Sequence, residues 1–571
     1  MTYTPVVNEQ RFLMRHIVRI DELAAHDSFA AASPDVVDAI LEGAGAFAAG
    51  EFAPLNRIGD TVGAKWTADG VRMPEGFHAA YQAYVDGGWG SLAAAPEHGG
   101  QGLPFALATA VLEDLGTANM GFSLIMMLTP GAVEALTTHG SEDQQATWLP
   151  KLVTGEWNGT MNLTEPQAGS DVGALRTTAT PAGDGSWRIK GTKIFITFGD
   201  HDLTDNIVHL VLARTPDAPA GTRGISLFLV PKIRLDGAQN DVRCVSIEHK
   251  MGIHASPTCA LSYGDNDDCH GWLIGPENAG MRAMFTMMNN ARLNVGLQGV
   301  SVAERATQQA VAYARERVQS ARAGAPTRDP VAIIEHPDVR RMLLRMKALT
   351  MGARALIYYA AGQADRAHLG DEAAQARLDL VTPLAKAYGT DVGVEVASLG
   401  VQVHGGMGFI EETGAAQHYR DARIAPIYEG TNGIQAADLV GRKLELAGGE
   451  ALAALLRDIR GEAGDETQLM ALADAVELVT ARLGAASVDD RLSGSYPLLT
   501  MLSVLVCGWL LARQARAAAG EADMDVDFLA IKHAAARFYL DRIVPEAIGL
   551  ADGATAGAEG LYAIDAGAFA A

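Results

Sequence analysis

Glu429 is the carboxylate best placed to do chemistry. It lies in Arg423-Ile-Ala-Pro-Ile-Tyr-Glu-Gly-Thr-Asn-Gly-Ile-Gln435, between Tyr428 and Gly430 and just after an apolar run. Apolar surroundings disfavour a charged carboxylate, so its pKa is expected to rise toward the working pH, as a general base requires. Gly430 has no Cβ and lets a ligand approach the backbone. A solvated surface glutamate is the competing reading of these residue types. A second stretch, Thr164-Glu-Pro-Gln-Ala-Gly-Ser-Asp171, offers two hydroxyls, a φ fixed at Pro166 and a relaxed backbone at Gly169. Its amides can point at an anion or a polar ring edge, although an ordinary turn uses the same residues.

The elements that must hold these groups are mostly helical. At 571 residues the chain exceeds one ordinary core, and about three or four domains are expected. Hydrophobic residues make up 48% and aromatics 6%, a balance that suits long helices packed through alanine and glycine. The formal charge of −23 repels a polyphosphate backbone, so no nucleic-acid partner is expected. Cys244, Cys259, Cys269 and Cys507 form no CxxC pair and no zinc set, which predicts free, buried thiols in a reducing cytoplasm. No basic and apolar leader opens the chain. The apolar run Leu498 to Ala512 reads as a buried helix, so no membrane span is expected.

Helical spacing marks Asp35–Ala44, Gly76–Asp86 and Phe105–Gly116, with Ser141 as a cap for the next helix. The texture then alternates: Trp187–Thr197, Ile207–Ala213 and Gly224–Pro231 read as strands. Helices return at Met281–Ser320, Pro337–Gly362, Asp371–Gly389 and Val392–His404. The expected organisation is an N-terminal arm and helical domain over 1–160, a β domain over 161–280 and a helical bundle over 281–445. An appended helical domain over 446–571 follows, with nine basic against 17 acidic residues over 451–571. The fold class is mainly α with a central β domain.

The octet Thr164–Asp171 resembles the TEPxAGSD signature of the acyl-CoA dehydrogenase family, matching every fixed position. Lys193-Ile-Phe-Ile-Thr197 resembles the family's KxWIT strand, and Gly400-Val-Gln-Val-His-Gly-Gly-Met-Gly-Phe409 its QxxGGxG segment. Arg420-Asp-Ala-Arg-Ile, with Ile427-Tyr-Glu-Gly-Thr431, resembles the stretch holding the family's catalytic glutamate. The motifs occur in the family's order over roughly residues 40–445. The resemblance implies an N-terminal helical domain, a β-barrel-like middle domain and a C-terminal four-helix bundle, here with an extra helical domain.

It also implies chemistry. Glu429 would remove the α-proton of an acyl-CoA thioester while the β-hydrogen leaves as hydride to the flavin of FAD. The product is a trans-2-enoyl-CoA, and the Glu429 backbone N–H would bond the thioester oxygen. Met161, Leu163, Thr164, Gly169 and Ser170 would run along the flavin, Ser170 also reaching the CoA arm. Phe195 would replace the family's tryptophan against the ring, and Thr197 would reach the flavin. Arg317, Gln402, Gly405 and Gly406 would serve the FAD of a neighbouring subunit, although Val318-Gln319 departs from the family's Phe-Gly after that arginine. Thr431 and Gly433 would lie by FAD, and Asn289, Arg292, Tyr428 and Gly430 by the substrate. A homodimer and electron-transfer flavoprotein are the implied partners. His249, His254 and Cys259 lie close together in a family turn, so no metal is expected.

The Arg11-Phe-Leu-Met-Arg-His16 segment, Met251–Cys259 and the C-terminal extension resemble the family branch acting on 3-(methylthio)propanoyl-CoA, in dimethylsulfoniopropionate degradation. A short or medium straight-chain or aryl acyl-CoA remains the alternative, since a thioether is nearly isosteric with a methylene. An acyl-CoA oxidase shares the motifs and a long extension. A DNA-associated flavoprotein on this scaffold would need a basic C-terminal face, which the acidic count over 451–571 opposes.

Overall fold

The computed structural model describes residues 3–571, apart from the side chains of residues 289 and 290. Two units are compact in themselves: one is built mainly from His26–Asn294, the other from Val6–Ala25 with Val295–Ala571.

The first unit opens with helices α1 (Pro34–Phe47), α2 (Phe77–Asp86), α3 (Phe105–Ala118), α4 (Met120–His139) and α5 (Glu142–Thr154). Pro34 starts α1 with its φ already helical, and Val37, Leu41 and Ala44 form its buried stripe. Ser141 and Gln144 close a reciprocal capping box on α5. A short hairpin, β1 (Lys65–Thr67) and β2 (Gly70–Arg72), interrupts this helical region.

The sheet contains β3 (Trp157–Asn162), β4 (Thr178–Pro181), β5 (Trp187–Thr197), β6 (Asn206–Ala213), β7 (Ser226–Pro231), β8 (Val242–Ile247), β9 (Thr258–Tyr263) and β10 (His270–Ile274). Their order is β3-β6-β7-β10-β5-β9-β8, with β4 also on β5. Only β3 and β6 run parallel. Every residue of β6 and β7 is buried, which explains why both are mainly apolar rather than alternating, with Asn206, His209 and Ser226 as their polar exceptions. Leu210, Leu227 and Leu229 share a core with Leu149, Met284 and Met287, so the methionine-rich start of the next helix is core.

The second unit is helical. Its long members are α6 (Gly280–Glu316, which begins in the first unit), α7 (Pro337–His368) and α8 (Glu372–His404). Two expected helices, Asp371–Gly389 and Val392–His404, are a single one, α8. Gly389 does not break it. A Cβ there would lie 2.7 Å from the Gly296 carbonyl oxygen, so the glycine serves close contact between α8 and α6. α6 ends at Glu316 rather than Ser320, and α7 runs past Gly362 to His368.

The short helix α9 (Asn432–Asp438) follows the Glu429 stretch. The extension adds α10 (Glu450–Ala463), α11 (Thr467–Ala485), α12 (Ser495–Gly520) and α13 (Val526–Phe538). The N-terminal arm packs with this extension. Lys532 on α13 donates to Glu9 at 2.6 Å and to Gln514 at 2.7 Å, and its ammonium lies 4.6 Å from the Phe12 ring centre. Glu521 accepts from Arg15 and meets His16. Two of the sequence features that marked the family branch, the Arg11–His16 segment and the C-terminal extension, thus pack together.

Helices α4 and α12 are long and apolar enough to cross a membrane by length and composition, but 67% and 83% of their apolar windows are buried within the protein. α12 contains the whole run Leu498 to Ala512. All four cysteines are free and buried.

Candidate active site

Glu429 sits at the tip of a clamped loop. The Asn432 N–H donates to the Pro426 carbonyl at 3.0 Å, so residues 427–431 form the tip. Lys386 on α8, fully buried, donates to the Ala425 carbonyl at 3.0 Å and to Asn432 Oδ1 at 2.9 Å, gripping both feet. Gln435 Nε2 donates to the Gly430 carbonyl at 3.3 Å, and the Tyr428 hydroxyl donates to Gln298 on α6. Thr431 caps α9 by accepting from the Ile434 N–H at 3.2 Å.

Within this frame Glu429 is half-buried with φ 54°, followed by Gly430 at φ 82°. A left-handed residue with a Cβ costs about 1–2 kcal/mol, and it persists only where the surroundings impose it. Burial, then the Glu429 charge, push the Tyr428 phenol up, so it stays a neutral donor.

The other motif residues gather in the first unit. Met161 is buried near the end of β3, and Leu163 and Thr164 follow it. Glu165 and Ala168 exchange backbone hydrogen bonds around Pro166-Gln167, making a tight turn that leaves Gly169 and Ser170 exposed. The Ile194 N–H donates to the Thr164 carbonyl at 2.9 Å, laying β5 against this turn. Under it lies a buried ion pair that the sequence reading passed over. Lys193 Nζ is 2.8 Å from Glu165 Oε1 and also donates to the Leu163 carbonyl, with side chains 0% and 3% exposed. Burial alone would push the Glu165 carboxyl up. Lys193, the Thr177 hydroxyl and the Arg176 N–H reverse this and hold it down to about 2. Glu165 is therefore an anchor, not a base.

β5 bulges between Lys193 and Ile196, which turns Lys193 inward and Phe195 outward although strict alternation would put both on one face. Phe195 stands at φ 59° with 58% of its surface exposed. An exposed aromatic ring on a strained backbone marks a surface built to be covered.

These residues fit the isoalloxazine of FAD. Among the described residues the side-chain hydroxyls of Thr164, Ser170 and Thr197 have no partner, and a Cβ at Gly169 would meet nothing within 4 Å. Polar groups, open backbone and an uncovered ring suit a flat heteroaromatic with carbonyl and N–H edges.

The remaining predicted residues fall in two places. Arg317 is exposed just past α6, and its guanidinium forms no ion pair among the described residues. One turn earlier Tyr313 stacks on His404 at 4.5 Å, so Arg317 shares an end of the bundle with Gln402, Gly405 and Gly406. His404 is 2% exposed, bonds the Gly400 carbonyl through Nδ1 and leaves Nε2 without a partner. Gly405 adopts φ 59°, ψ −140°, which only glycine tolerates, and space around it and Gly406 is open. Gly433 is exposed on the first turn of α9. Arg292 is buried in α6, and the side chain of Asn289 lies outside the described residues. No group of three or more His, Cys, Asp or Glu side chains that could hold a metal occurs among the described residues. His254 instead bonds Asp60 and the Lys250 carbonyl.

The sequence reading also missed Lys386, Asn432 and Gln298. A lysine inside the apolar stretch Val381–Tyr388 was the available signal for the first.

Known proteins share this chain's domains and fold. The chain matches the N-terminal, middle and C-terminal domains of acyl-CoA dehydrogenases over residues 35–156, 160–265 and 278–444, and an acetyl-CoA dehydrogenase C-terminal-like domain over 456–565. It is 47% identical to 3-methylmercaptopropionyl-CoA dehydrogenase of Ruegeria pomeroyi, over 96% of this chain and 97% of that protein. It is 34% identical to the broad-specificity linear acyl-CoA dehydrogenase FadE5 of Mycobacterium tuberculosis, over 95% and 96%. The fold matches that of Caenorhabditis elegans ACDH-11 in complex with C11-CoA at a TM-score of 0.77 and 20% identity, over 95% of this chain and 92% of that one. The chain belongs to the acyl-CoA dehydrogenase family of FAD-dependent oxidoreductases acting on CH–CH groups.

Proposed function

We propose that this dehydrogenase oxidises 3-(methylthio)propanoyl-CoA to 3-(methylthio)acryloyl-CoA in the cytoplasm, with Glu429 as the base. The observation that carries the role of Glu429 is its left-handed backbone, held by a loop clamped at both feet. Glu429 takes the α-proton, and its backbone N–H would donate to the thioester oxygen, where negative charge develops. Bound FAD supplies the two-electron oxidant that accepts the β-hydrogen as hydride. Thr164, Ser170 and Thr197 would offer donors to the ring system, Phe195 would lie against its face, and Gly169 would admit it closely. Tyr428 stays neutral and tied to Gln298, keeping the residue beside Glu429 in place.

The acyl group is assigned by kinship. The relative at 47% identity carries that substrate in its name, and the N-terminal arm and extension that marked the branch are joined through Glu9 and Lys532. Electrons pass to electron-transfer flavoprotein. A homodimer is supported by Phe409, 87% exposed beside Gly405 and Gly406, and by the unpaired Arg317 at the same end.

The test is anaerobic mixing of substrate with wild type and Glu429→Gln. The variant keeps its yellow cofactor and binds acyl-CoA, yet fails to bleach. Wild-type bleaching by Glu429→Gln removes the reading. Specificity constants on butanoyl-, octanoyl-, 3-phenylpropanoyl- and 3-(methylthio)propanoyl-CoA test the acyl group, and a preference for octanoyl-CoA contradicts it. Rapid peroxide formation in air without an electron carrier would make the enzyme an oxidase.

A further inference from the structure

We infer that the appended C-terminal helices position Glu429, through a hydrogen-bonded chain from Tyr496 on α12 to Asp391 on α8 to Asn432 at the foot of the Glu429 loop. The inference rests on the reading of Glu429 as the base and gives the extension a part in the reaction.

The chain is continuous. The Tyr496 hydroxyl donates to Asp391 Oδ2 at 2.6 Å. Asp391 Oδ1 accepts from Asn432 Nδ2 at 2.9 Å. Asn432 Oδ1 accepts from the buried Lys386, which also holds the Ala425 carbonyl at the other foot. One amide side chain therefore joins both feet of the loop to a carboxylate, and that carboxylate divides its two oxygens between the loop and the extension. Bonds to a charged acceptor are the strong members of such a chain, so Asp391 decides the orientation of the Asn432 amide over its weaker neutral acceptors, Thr390 Oγ1 and the Ala387 carbonyl. The tip this clamp supports is strained at Glu429, and a strained tip relaxes when its supports loosen.

Tyr496 is a positioning residue, not a catalytic one. A second tie between extension and bundle provides the control: the Tyr539 hydroxyl meets the Tyr388 hydroxyl at 2.8 Å but does not touch the loop. A general loosening of the extension would act through either tie, whereas positioning acts through Tyr496 alone.

The test compares Tyr496→Phe, Asp391→Asn, their double variant and Tyr539→Phe as full-length FAD-loaded enzymes. Three quantities are read: anaerobic flavin reduction at saturating substrate, the acyl-CoA dissociation constant, and amide deuterium uptake of a peptide covering 423–435 in the absence of substrate. Tyr496→Phe is expected to slow reduction about tenfold, the scale of a sub-ångström misplacement, with substrate affinity within about twofold. Its uptake over 423–435 rises. The double variant is no slower than Asp391→Asn, because both changes cut one chain. Tyr539→Phe lowers the melting temperature and leaves reduction rate and loop uptake unchanged. Wild-type rate and uptake in Tyr496→Phe, an equal loss in Tyr539→Phe, or additive losses in the double variant would overturn the inference. Failure of the underlying reading looks different: Glu429→Gln would then bleach its flavin like wild type. If Glu429→Gln is inert while Tyr496→Phe matches wild type in rate and uptake, only the positioning role falls.

Discussion

Replacing Lys193 with methionine tests how the turn that carries Thr164 and Ser170 is held. Lys193 supplies the countercharge to Glu165, 2.8 Å away, where the two side chains are 0% and 3% exposed. Glu165 keeps its bonds from the Thr177 N–H and hydroxyl, the Arg176 N–H and Gln167, but it becomes a buried anion without a cation. Breaking one side of a buried pair costs about 3–5 kcal/mol. Holding the carboxyl at about 2 instead of 4.5 contributes roughly 3 kcal/mol at neutral pH, a gain offset by the cost of burying the Lys193 charge, which lowers that ammonium to about 8.

The sign follows from these pKa values. In wild type the folded value is the lower one, so this stability is present above 4.5 and is lost as pH falls toward 2. In Lys193→Met burial dominates and the folded value rises above 4.5, so the penalty is largest at neutral pH. It shrinks by up to about 1.4 kcal/mol per pH unit below the new value. Burial lowers Lys193 itself to about 8, and it carries its charge throughout a comparison at pH 7 and pH 5. Urea unfolding followed by tryptophan fluorescence should show a midpoint lowered by about 1 M at pH 7, and by clearly less at pH 5. Adding Glu165→Gln should recover part of the loss. A shift worth under about 1 kcal/mol at pH 7, or an equal shift at both pH values, would refute the anchoring role.

Gly169→Val has room in the protein, since nothing lies within 4 Å of a Cβ there. It should leave the melting temperature of the flavin-free protein unchanged while weakening FAD retention at least tenfold in a dialysis titration, as crowding a ligand-facing backbone predicts. Arg317→Ala combined with Phe409→Asp should abolish the proposed dimer in light scattering, because it removes an exposed ring and adds charge to the face that would be shared.

The sequence was most legible where chemistry is local. The strands β5, β6 and β7 declare themselves as β-branched and apolar runs, and Ser141 caps its helix as its type predicts. Glu429 stands out from its neighbours only as a candidate, and the motif order led to the family the comparisons support. Less visible was anything set by partners distant in sequence. Gly389 reads as a helix end, yet it permits close packing on Gly296, ninety-odd residues away, and α8 runs through it. The bulge after Lys193 reverses the facing of Phe195, and no periodicity records an inserted residue. Lys386 and Asp391 look like ordinary helix polar residues until α8 brings them to Asn432 at the foot of the Glu429 loop. The N-terminal arm likewise gains its meaning only when Glu9 meets Lys532.

The most direct measurement of the central claim isolates proton removal from oxidation. Acetyl-CoA carries α-hydrogens and no β-carbon, so a base acting at the α-carbon can exchange its hydrogens with deuterated solvent without any hydride transfer. Mass spectrometry of acetyl-CoA incubated in D2O should show exchange with wild type, and only the uncatalysed background with Glu429→Gln. Background exchange with wild type, or equal exchange by both proteins, would contradict the assignment of Glu429 as the base.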